Sequence, residues 1–90
     1  MILSSHEPLS EYKLWRSVLG QTIRDMTDPN PKVRQEVVAW MVSDDFEAVC
    51  HMANAHPYDI RDQLYALYSM PLPLAQKYGR KLREQIVECP

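Results

Sequence analysis

The stretch that most constrains the fold is residues 44–67, DDFEAVCHMANAHPYDIRDQLYAL. It reads as a short helix, a tight turn at Asn54-Ala55-His56, and a second helix that starts on Pro57. Proline suits a first helical position because the N–H it lacks has no intrahelical partner there. Asparagine tolerates the positive φ that so sharp a reversal requires. Val49, Ala53, Ala55 and Ile60 then fall on the apolar positions that lock two helices at a steep angle, and Cys50 takes the place where a small residue is needed. Gln63 departs from that pattern, with Leu64 beside it as the compensating apolar residue. The expectation is a helix-turn-helix-like centre.

The flanking sequence divides into further helical pieces. Seven prolines punctuate it, only two glycines occur, and no β-branched alternation reads as a strand. Ser10 is expected to cap a first helix running to about Met26, with Leu14, Trp15, Val18, Leu19, Thr22, Ile23 and Met26 as its apolar stripe. Gly20 inside that helix costs up to about 1 kcal/mol against alanine, which marks a close helix crossing. Asn30 and Pro31 open a second helix to about Val42, with Val33, Val37, Trp40 and Met41 inward. Asp44 and Glu47 have capping-box spacing for the third helix, whose inward residues are Phe46, Val49, Cys50 and Ala53. Ile60, Leu64 and Leu67 face inward from the fourth. Leu74, Tyr78, Leu82 and Ile86 form the stripe of a fifth, from about Pro73 to Glu88. The predicted fold is all-α: a compact bundle of about five short helices. Residues 10–90 form a single helical domain behind an extended N-terminal arm at 1–9. Trp15, Trp40 and Phe46 are its expected anchors.

Several classes of function are excluded at this level. No apolar run approaches the ~20 residues that span a membrane. MILSSHEPLS lacks the basic start and apolar stretch of a signal peptide, so the expected location is cytoplasmic. Cys50 and Cys89 are expected as free thiols, the first in the core and the second exposed. His6, His51 and His56 match no metal-binding spacing, and no cofactor is expected. A glycine-rich phosphate loop, a nucleophile elbow and an HExxH motif are all missing, which points away from an enzyme. Helix capping already accounts for the adjacent carboxylates of Asp44 and Asp45.

Binding remains, with two partner classes, and the motif geometry, as the most specific signal, favours the first: a small regulatory protein associated with DNA, with a module that binds a host protein as the alternative. In the DNA reading, the second helix of the motif exposes Tyr58, Asp59, Arg61, Asp62 and Tyr65, and Arg61 contacts a guanine or a phosphate. Lys77, Arg80 and Lys81, which share a face with Glu84, add the chain's basic cluster. That cluster equally describes a solvated face with cations near a helix C-terminus. Against DNA stand Asp59, Asp62, a net charge of −2 and a pI near 5.8. In the protein reading, Tyr58, Tyr65 and Tyr68 supply the interface, with Met70 and Leu72 extending an apolar edge. Packing of the tyrosines under the fifth helix accounts for them equally well. Either partner is compatible with a homodimer.

A longer pattern runs through residues 12–64. It begins with Trp15-Arg16-Ser17-Val18-Leu19, continues through Arg34 and Trp40 to Ser43-Asp44-Asp45-Phe46-Glu47-Ala48-Val49-Cys50, and closes with Pro57-Tyr58-Asp59-Ile60-Arg61. This run resembles small helical proteins encoded by bacteriophages and prophages. The resemblance implies an origin on a mobile element and brings no activity, cofactor or site residue with it. Those proteins are richer in arginine after the proline, where this chain has Asp59 and Asp62.

Overall fold

Local chemistry sets most of the helix boundaries in the computed structural model, which describes residues 8–87. Five helices follow in order: α1 (Pro8–Met26), α2 (Pro31–Met41), α3 (Asp44–Met52), α4 (Pro57–Ser69) and α5 (Leu72–Val87). No strand occurs among the described residues, and the all-α expectation holds. Asn30 caps α2 as expected, its side chain accepting the Lys32 N–H at 2.9 Å, with Pro31 at the first helical position.

Two expected caps are corrected. Ser43, rather than Asp44, caps α3. Its hydroxyl accepts the Phe46 N–H at 3.4 Å and donates to the Trp40 carbonyl at 2.6 Å, so one side chain closes α2 and opens α3. Asp44, Asp45 and Glu47 sit inside the first turn, where the helix dipole favours negative charge. Ser10 is not a cap either, because α1 already begins at Pro8. Residues 1–7 of the expected arm lie outside the described residues, as does Cys89.

The bundle is organised around α1, which packs against each of the other four helices. Leu19, Ile23 and Met26 from α1, Met41 from α2, Phe46 and Cys50 from α3 and Leu64 from α4 are fully buried. Of the three expected anchors only Phe46 belongs to this set. Trp15 and Trp40 are partly buried at its edge, Trp40 meeting Phe46 edge-on with ring centroids 5.4 Å apart. Leu14 is 61% exposed and drops out of the α1 stripe.

The buried face of α5 is also corrected. Ala75 and Gly79 are buried and Leu82 and Ile86 pack on the core, while Leu74 and Tyr78 stay exposed. A strict four-residue step drifts around a helix of 3.6 residues per turn, so 74 and 78 leave the face that 82 and 86 share. Close approach to α1 selects small residues instead. A Cβ on Gly79 would stand 3.6 Å from Ile23 Cγ2 of α1 and 3.0 Å from Cγ2 of Thr27 just past its end, and a Cβ on Gly20 would stand 2.5 Å from Val87 Cγ2. Gly20 thus marks the expected helix crossing, and α5 is the helix that crosses there.

Candidate functional site

The α3–turn–α4 unit forms on the residues its sequence suggested. Asn54 has φ 56°, the one positive φ at a non-glycine residue among those described. The Ala55 N–H donates to the Cys50 carbonyl at 2.8 Å and the Asn54 N–H to the His51 carbonyl at 3.0 Å, the paired bonds of a Schellman motif. Cys50, Val49, Ala53, Ile60 and Leu64 are buried beneath the turn, whereas Gln63 is exposed. His56 occupies the N-cap position of α4 without a side-chain capping bond.

Arginines tie this unit into the bundle. Arg16 of α1 donates from Nε to the Ala53 carbonyl at 2.9 Å, and its other nitrogens reach the carbonyls of Asn54 and Ile86, both at 3.4 Å. A helix C-terminus leaves carbonyls without intrahelical partners, and this guanidinium serves those of α3 and α5 together. Arg16 is not among the site residues expected from the sequence. The available signal was a cation at the edge of an apolar stripe, one turn before Leu19 and Gly20.

Arg61 is the main correction to the expected site. Its side chain is only 21% exposed. Nε donates to the carbonyl of Met41, the last residue of α2, at 3.1 Å. The guanidinium lies 5.1 Å from the Phe46 ring centroid and 5.8 Å from that of Tyr58, and Nη2 stands 3.7 Å from Glu47 Oε2. The unpartnered end of α2 draws Arg61 inward, away from the surface where it was expected.

The outward row of α4 is therefore Tyr58, Asp62, Tyr65 and Ser69, with Asp59 beside it, all exposed. Tyr58 is 69% exposed, Tyr65 38% and Tyr68 42%, so none of the three is packed away under α5. The tyrosines do not form one edge. Tyr65 belongs to the outward row. Tyr68 joins Met70 and Leu72 on the other flank, where they line a groove of about 480 Å³ with Met26, Pro29 and Arg34.

Lys77, Arg80 and Lys81 are exposed on α5, but they do not act as one patch. Arg80 lines a groove against α1. Lys81 turns toward α4, its Nζ 5.9 Å from the Tyr78 ring centroid.

Burial pushes the Cys50 thiol up to about 11, against a smaller opposing effect of the Arg61 charge, so the thiol is protonated at neutral pH. Among the described residues, no group of three or more His, Cys, Asp or Glu is placed to hold a metal ion, and no helix is long and apolar enough to cross a membrane. No protein-family model matches the chain, and no curated protein or solved structure is significantly similar to it.

Proposed function

We propose that this chain is a small protein-interaction module of the phage type, which presents the outward row of α4 to a host protein carrying complementary positive charge. The observation that carries the reading is the inward turn of Arg61. It removes the cation from the second helix of the motif and leaves Tyr58, Asp62 and Tyr65 with Asp59 at the surface. Two carboxylates beside two tyrosines repel a phosphate backbone and suit a protein surface rich in lysine or arginine. Tyrosine adds large contact area with a polar tip at low entropic cost. A regulatory, DNA-associated role through α4 would need Arg61 to give up its hydrogen bond to Met41 and its ion pair with Glu47.

The test uses the immobilised chain and a bacterial lysate. A captured protein should be lost with Tyr65→Ala and with Asp62→Arg, and kept with Lys77→Gln. Capture that survives both α4 substitutions would overturn the reading. So would tight binding to random duplex DNA at ~50 mM salt that Arg61→Ala abolishes.

A further inference from the structure

The close crossing of α1 and α5 at Gly20 opens on one side into a groove of about 330 Å³. Its polar lining is Ser17, Gln21 and Arg24 from α1 and Arg80, Arg83 and Glu84 from α5. Three arginines from two helices line it with a single carboxylate, on a chain whose net charge is −2.

The chain has six arginines, and they divide into two sets. Arg16, Arg34 and Arg61 each donate to backbone carbonyls, Arg34 reaching the Asp28 carbonyl at 2.6 Å. Arg24, Arg80 and Arg83 make no side-chain hydrogen bond to protein and no ion pair among the described residues. Asp25, the acid next to Arg24, accepts from Gln21 Nε2 at 3.0 Å and lines the neighbouring groove between α1 and α2 instead. Lys77 stands one i+3 step before Arg80 on α5. Each such step advances about 4.5 Å along a helix axis, and Lys77 is not among the residues that line the groove. Like charges that line one groove without a hydrogen-bonded or ion-paired protein partner favour an anion there.

We infer that the α1–α5 groove binds closely spaced phosphate groups. The planar fork of arginine pairs with phosphate oxygens through two parallel N–H bonds, and three forks exceed what one carboxylate ligand takes up. The ligand is a polyphosphate or successive phosphodiesters of a nucleic-acid backbone, bound without base recognition. This site lies on α1 and α5 and is independent of the proposed α4 surface.

Calorimetric titration of the full chain tests it, using sodium tripolyphosphate and, separately, a single-stranded oligonucleotide of about 12 nucleotides. At ~50 mM salt both should bind, more weakly at ~200 mM, with Arg24→Gln and Arg80→Gln each reducing affinity about tenfold. Lys32→Gln, an exposed cation on α2, and Tyr65→Ala on α4 should leave binding unchanged. Circular dichroism of each variant confirms that the fold is kept. Equal affinities for the two ligands assign the site to free polyphosphate, and a preference of about tenfold or more for the oligonucleotide assigns it to nucleic-acid backbone. Absence of binding by either ligand at ~50 mM salt would overturn the inference. An effect of Lys32→Gln as large as those of the arginine variants would do the same, because it would show diffuse attraction with no site.

Discussion

Arg16 on α1 donates its Nε–H to the carbonyl of Ala53 at 2.9 Å, across 37 positions of sequence. The same guanidinium touches the ends of two helices and lies 4.7 Å from the Tyr12 ring centroid. Hydrogen bonds from charged groups contribute more than neutral ones, and the Ala53 and Ile86 carbonyls left behind would be partly buried. Arg16→Ala should therefore destabilise the fold by about 2–3 kcal/mol. Arg16→Lys should recover less than half of that loss, because an ammonium has no fork to span three carbonyls. Urea unfolding would show a lower midpoint at unchanged slope. A midpoint equal to that of the parent would remove Arg16 from the account of stability.

Arg61 and Glu47 are expected to behave unequally although they are paired. Glu47 is 56% exposed and its contact with Arg61 is long, at 3.7 Å, so Glu47→Ala should cost less than ~1 kcal/mol. Arg61→Ala also removes the bond to Met41 and the stacking over Phe46, and should cost about 2 kcal/mol or more. Comparable losses in the two variants would mean that the ion pair, and not the carbonyl bond, holds Arg61 inward.

Asn54 tests the turn. Alanine at φ 56° meets the clash of its Cβ with the following carbonyl, and Asn54→Ala should cost about 1–2 kcal/mol. Asn54→Gly should change stability by only a few tenths of a kcal/mol, because glycine enters this region freely but loses more chain entropy on folding. Thermal unfolding of the pair would separate them by several degrees.

Cys50 links stability to alkaline pH. Burial holds its folded-state pKa at about 11, above the ordinary 9.0 of the unfolded chain. The folded state therefore keeps its proton longer than the unfolded state. The resulting stabilisation is complete below pH 9 and declines as pH rises from 9 toward about 11. In a Cys89→Ser background, the stability of the chain should fall more between pH 8 and pH 10 than that of the same chain with Cys50→Ala. Thiol labelling at pH 8 should be slow until denaturant opens the core. Rapid labelling of the folded chain would contradict the burial of Cys50.

What the sequence determined by itself is local. Proline at 31 and 57, asparagine at 30 and 54 and the apolar spacing of the central segment specify α2, α3, α4 and the left-handed turn between the last two, because capping, φ preference and periodicity act within one or two turns of the chain. Even the close crossing at Gly20 was legible, since a glycine inside a helix has a local cost. Tertiary structure decided the rest. The partners of Arg16 and Arg61 depend on which helix ends come to lie beside them, and that is set by packing across 37 and 20 positions of sequence. The face that α5 buries depends on how closely it approaches α1, and there the small residues Ala75 and Gly79 displace the Leu74–Tyr78 row. The same crossing gathers Arg24 with Arg80 and Arg83. Interactions of this kind are specified by distance in space rather than by spacing along the chain, and no local pattern encodes them.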